Sequence, residues 1–220
     1  MNTHSFYLTQ AITFFSALSL VSAFGMLSLR TLRLCIRTYA AQSLCLGFTA
    51  FLLGLSLRHY HVAIIAMVVM IVKGLLIPWF LDKVMEEVRI KRELDPFVSY
   101  PISMFIGVGL ALVSYSLVDR VIMNDPFAAK GFSLALTLIL LGLWLMVSRK
   151  KAMIQVLGLL VVENGLFVAA LSTSFSMPMI VELGLVFDLL IAVVIMGMLI
   201  FRIQNTFSSI NTEHLNRLKG

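Results

Sequence analysis

Four ionisable side chains interrupt otherwise apolar stretches of the sequence: Lys73, Glu163, Glu182 and Asp188. An ammonium and carboxylates held at one depth in hydrocarbon can form a buried ion pair, or hand an ion along a small polar cavity. At a helical rise of ~1.5 Å per residue, Lys73, Glu163 and Asp188 fall near the middle of their respective stretches. Glu182 falls about a turn inside the end of its own stretch. Each charge at the bilayer centre costs about 2.5–3.5 kcal/mol on insertion scales. Three at one depth require a compensating role. Two roles are open: a structural pair that fixes helix packing, or an ion-conducting relay.

The neighbouring residues bear on that choice. Lys73 lies in MIVKGLLIPWF. Pro78 has no N–H for the carbonyl of Gly74, four residues back, so a bend with room for water beside the ammonium is expected there. Glu163 is followed by Asn164 in VLGLLVVENG, which adds an amide next to the carboxylate. Gly184, Asp188 and Ala192 are spaced by four and share a helix face, where small residues admit a neighbouring helix. His59 and His61 lie in a connecting loop, either as a solvated pair or as an ion exit. Cys35 and Cys45 show no metal-ligand spacing and read as packing residues. No glycine-rich phosphate loop, GxSxG or HExxH is present, so the chain offers no site for covalent chemistry.

The elements that must position these charges are membrane helices. Of 220 residues, 60% are hydrophobic and only 13% are charged, against about 25% charged in soluble domains. That balance excludes a soluble enzyme, a secreted disulfide scaffold and a disordered tail. A span needs about 20 apolar residues. Seven stretches qualify: Phe6–Leu29, Thr38–Leu57, Val62–Leu81, Phe97–Val118, Gly131–Val147, Ala152–Leu171 and Met179–Phe201. They are solidly apolar rather than alternating, so the expected fold is all-α, a polytopic membrane protein with about seven transmembrane helices. The first stretch lacks the features of a cleaved signal peptide and is expected to stay as a helix. Residues 1–130 divide off as a four-helix region and residues 131–220 as a three-helix region.

Basic residues set the expected orientation. Arg30, Arg33 and Arg37, then Lys83, Arg89, Lys91 and Arg92, then Arg149, Lys150 and Lys151, and finally Arg202, Arg217 and Lys219 fall on one side. Only Arg58, Arg120 and Lys130 fall on the other. The bias predicts the N-terminus outside and the C-terminus in the cytoplasm. The net charge of +6 is split among short loops rather than gathered in a patch, so no nucleic-acid partner is expected. Within 82–96, Glu87/Lys91 and Arg89/Glu93 at i,i+4 predict a solvated helical extension of the third span. Gln42 and Gln155 stand five and four residues after a basic residue, Arg37 and Lys151, near the start of an apolar stretch, which raises the idea of a parallel three-helix repeat.

Residues 149–220 resemble the three-helix K-type subunit of complex I and the related C-type subunit of multisubunit cation/proton antiporters. The resemblance rests on VLGLLVVENG, on Asp188 within FDLLIAVVIMGML, and on a tail ending Arg217-Leu218-Lys219-Gly220. The family's glutamate position is occupied here by Leu160, and the nearest carboxylate, Glu163, stands one turn along the same face. Asn164 falls on the family's asparagine. The whole chain is similar to the hydrogenase 4 component E family, through YAAQSL, KGLLIP, VENG, VELG followed by FD, and LKG.

That resemblance implies a non-catalytic membrane subunit of a complex I-like [NiFe] hydrogenase of the formate hydrogenlyase type, in a bacterial or archaeal cytoplasmic membrane. The implied partners are antiporter-like subunits, a membrane-anchor subunit and, indirectly, a peripheral hydrogenase arm. The NiFe centre and iron–sulfur clusters would belong to those partners, with no cofactor in this chain. Lys73, Glu163 and Asp188, joined by Glu182, would form the relay, supported by Gly74, Pro78, Asn164 and Gly184. Membership of a cation/proton antiporter complex and a purely structural spacer are the alternatives.

Overall fold

A computed structural model describes residues 3–56, 60–87, 97–121 and 126–173. Among them every element is a helix, joined by short links: α1 (Thr3–Ser28), α2 (Leu32–Ser56), α3 (Tyr60–Ile71), a π-helical turn (Val72–Leu76), α4 (Ile77–Glu87), α5 (Tyr100–Val121), α6 (Pro126–Ser148) and α7 (Ala152–Thr173). The segment from α3 through the π turn to α4 forms a single span. Six helical segments are long and apolar enough to cross a membrane. They correspond to the first six expected stretches, with ends that differ by a few residues. The seventh, Met179–Phe201, lies outside the described residues, as do Glu182, Gly184, Asp188 and His59. Helix α4 carries the third span on to Glu87, the start of the expected extension.

The links between α1 and α2 and between α6 and α7 are so short that each pair must run antiparallel. Pro126 opens α6, at a position where a missing N–H costs nothing. In α6 and α7 the pairing is set by glycine. A Cβ on Gly142 would lie 2.7 Å from the carbonyl oxygen of Gly158, and one on Gly165 would lie 2.9 Å from that of Ala135. The two backbones therefore touch, the kind of approach that lets dispersion hold helices together when lipid is as apolar as leucine.

Around that pair the interior is aliphatic. Leu134, Leu138, Leu141 and Leu145 of α6 recur at helical spacing and meet Ile154, Leu157, Leu160 and Val161 of α7 and Ile36 and Leu46 of α2. The exterior is equally apolar, with Phe105, Leu112, Leu117 and Val147 all exposed. A helix apolar all round suits hydrocarbon outside and protein within. Helix α5 buries only a narrow stripe, Ser103, Gly107, Ser114 and Val118. Trp144 Nε1 donates to Ser103 Oγ at 2.9 Å and ties α5 to α6.

The basic links gather at one end of the bundle. Arg33 of α2 pairs with Glu86 of α4 at 2.7 Å and lies 3.9 Å from Asp82. Arg30 and Arg149 both stand over the ring of Tyr100, at 5.4 and 4.3 Å. The N–H of Phe97 donates to the Ser148 carbonyl at 2.9 Å. The grouping of these links on one side thus holds among the described residues. Arg149 is nonetheless no simple topology marker. It is 1% exposed, and its Nη2 donates to the Leu27 carbonyl in the last turn of α1. A cation there also meets the negative ends of α1 and α6.

Candidate ion-pair site between α2, the π turn and α7

The site begins with a backbone fault. Pro78 cannot serve the Gly74 carbonyl. The chain answers by widening one turn, and Ile77 N–H reaches back five residues to the Val72 carbonyl. The irregularity expected at this point is therefore a π turn, a form often found at functional sites. Gly74 makes room for it: a Cβ there would lie 2.5 Å from Leu44 Cδ2 of α2. Gly47 of α2 likewise receives Met70, whose Cγ would be 2.2 Å from an added Cβ. The widened turn is thus pressed onto α2.

Lys73 sits in this turn and points into the bundle. Its Nζ lies 2.9 Å from Oε1 of Glu163 on α7, with side chains 3% and 5% exposed. Two charges so deeply withdrawn from water are tolerable only together, since each offsets the desolvation of the other.

A cluster of neutral polar groups begins at the residue next to Glu163. Asn164, the next residue on α7, donates from Nδ2 to Ser43 Oγ at 3.1 Å and to Gln42 Oε1 at 3.4 Å, both on α2. Gln42 Nε2 donates to the Ser19 carbonyl of α1 at 3.3 Å. All of these residues are buried. Counted from the basic end, Ser43 of α2 and Glu163 of α7 both stand eleven residues into their helices, about 16 Å deep at ~1.5 Å per residue. The ion pair and the amide cluster therefore share one level, reached from α1, α2, the π turn and α7.

Of the sequence-derived site residues, Lys73, Gly74, Pro78, Glu163 and Asn164 come together. Asp188, Glu182 and Gly184 lie outside the described residues. Gln42 enters the sequence reading only as a repeat marker and, with Ser43, within the YAAQSL motif, neither with a site role, and Ser19 not at all. A neutral polar residue in an apolar stretch is common, and only the facing helix reveals its partner. Cys35 and Cys45 are buried and free. Among the described residues no three His, Cys, Asp or Glu side chains converge as a metal site would require.

Comparison with known proteins gives full-length but distant similarity. The chain is 28% identical over 192 residues to the uncharacterized protein Rv0085 of Mycobacterium tuberculosis, covering 86% of this chain and 87% of that one. It is 24% identical over 206 residues to hydrogenase-4 component E of Escherichia coli, covering 93% and 95%. The Shigella flexneri protein of the same name gives the same figures. No protein-family profile matches. No solved structure matches either.

Proposed function

We propose that this chain is a non-catalytic, multi-pass subunit of a complex I-like membrane-bound [NiFe] hydrogenase of the formate hydrogenlyase type, in a bacterial or archaeal cytoplasmic membrane. In it the Lys73–Glu163 pair is one station of an ion relay. The full-length similarity to hydrogenase-4 component E supports the context. The observation that carries the relay is the mid-depth pair itself, 2.9 Å across two helices, at the level where the next residue, Asn164, binds Gln42. Asp188 and Glu182 continue the relay in this reading. Gly74 and Pro78 shape the turn that presents Lys73, Asn164 flanks the acid, and Gly184 lets a neighbour approach Asp188. The metals belong to partner subunits, with antiporter-like and anchor subunits beside this chain.

The test is isolation of the tagged full-length chain from native membranes in mild detergent. Co-isolation of hydrogenase large and small subunits is expected. Recovery of antiporter subunits without redox partners would replace the hydrogenase context by the antiporter one.

A second reading has an observation of its own. The direct 2.9 Å contact also suits a structural pair that only holds helices in register. Lys73→Met separates the two: in a complex that assembles, loss of ion movement supports the relay, and undiminished ion movement with a loss of stability alone supports the spacer.

A further inference from the structure

A cavity of about 600 Å³ opens among α1, α2, α5, α6 and α7 in the half of the bundle away from the basic links. Its wall carries Ser16, Thr49, Ser172 and Lys130. Its deep end is formed by Leu46, Leu134 and Val168. Leu46 stands three residues beyond Ser43 on α2, and Val168 four beyond Asn164 on α7, so the floor is about one helical turn from the amide cluster. A polar thread crosses that turn. Ser16 lines the cavity, and its carbonyl accepts from Ser19 Oγ at 2.7 Å. The Ser19 carbonyl accepts from Gln42 Nε2, and Gln42 Oε1 accepts from Asn164, the residue next to Glu163.

We propose that this cavity is a water-filled vestibule that gives the Lys73–Glu163 pair access to the membrane face remote from the basic links. The volume holds on the order of 20 waters at ~30 Å³ each. The lining is mainly apolar, and the polar partners such water needs come from Ser16, the Lys130 ammonium, and Thr49 and Ser172 as acceptors, since their hydroxyls donate to the Cys45 and Val168 carbonyls. Leu46, Leu134 and Val168, each largely buried, form a dry floor of the kind that gates by dewetting. When water crosses it, Ser43, Gln42 and Asn164 are the first groups it meets. The inference rests on the relay reading and supplies its entrance.

The experiment is cysteine accessibility in the native complex, using a chain whose Cys35 and Cys45 are replaced by alanine. Ser16→Cys, Thr49→Cys and Ser43→Cys are each treated with a membrane-impermeant methanethiosulfonate in sealed vesicles of both orientations. The thiolate attacks the reagent's sulfenyl sulfur and expels methanesulfinate, and the thiolate forms only where water reaches. The wall positions should therefore react about tenfold or more faster than Ser43→Cys, and only from the face remote from the basic links. Adding Leu46→Gly should bring Ser43→Cys up to the rate of the wall. Wall cysteines that ignore the impermeant reagent, or react from the basic side, overturn the vestibule, and a lipid chain or helix then fills the space. Vesicle ion movement with Lys73→Met, measured alongside, keeps the two readings apart. Unlabelled walls with abolished movement remove the vestibule alone. Labelled walls with undiminished movement remove the relay.

Discussion

Lys73 on the π turn and Glu163 on α7 meet at 2.9 Å, each nearly sealed from solvent, at the level where Asn164 binds Gln42 and Ser43. The pair joins two parts of the chain ninety residues apart, so it clasps the third span to α7.

The clasp can be measured by a mutant cycle. Removing one member of a buried pair strands the other charge, at a cost of about 3–5 kcal/mol. Lys73→Met and Glu163→Met should each destabilise the detergent-solubilised chain by that order. The double variant should recover most of the loss, because two apolar side chains replace two charges. Thermal unfolding of the four proteins gives the coupling term, and additive losses would show that the two charges do not depend on each other.

The π turn follows from Pro78, so Pro78→Ala should abolish it. Alanine restores an N–H for the Gly74 carbonyl and lets the helix close regularly. The span should gain stability, by at most the ~3 kcal/mol that an interior proline costs. Removing the extra residue from the turn rotates everything on one side of it by about 100°. Lys73 then leaves Glu163, and the two stranded charges should cost more than the regular helix gains, so stability and ion movement should fall together. A parallel rise in both would contradict this.

Gly142 and Gly158 set the α6–α7 distance. Gly142→Ala places a Cβ 2.7 Å from a backbone oxygen, which cannot swing aside as a side chain can. The expected loss is about 1–3 kcal/mol, the usual range for overpacking. Gly109→Ala, where nothing lies within 4 Å, is the matched control and should be neutral in the same melting assay.

Arg149→Lys tests the basic end. Lysine keeps the charge but cannot both stack on Tyr100 and reach the Leu27 carbonyl as the planar guanidinium does. A loss of about 1–3 kcal/mol is expected, as for a broken charged hydrogen bond. Lys150→Ala, at a partly solvated neighbour over Phe97, should cost far less. A neutral Arg149→Lys would mean that only charge counts here.

Much of this was open to reading from residue types alone. Charges within apolar runs identify Lys73 and Glu163, because their cost demands a use. Run lengths give the first six spans. Pro78 with Gly74 announces a fault in the third, but the sequence does not say whether a helix bends or widens, since that depends on what α2 presents at Leu44 and Gly47. Arg149 reads like Lys150 and Lys151 beside it, and only the fold separates a buried clamp from exposed topology signals. Gln42 and Ser43 stay hidden for the same reason: an amide among leucines acquires meaning from the facing helix.

The central claim is that the Lys73–Glu163 pair passes ions rather than merely holding helices. Glu163→Gln preserves shape and a hydrogen-bonding amide while removing the ionisable group. The direct measurement is internal acidification of inverted membrane vesicles driven by hydrogenase turnover, with assembly of the variant complex checked in the same preparation. The relay predicts full assembly and continued turnover with acidification reduced at least tenfold. Acidification at the unaltered rate in the assembled Glu163→Gln complex would contradict it.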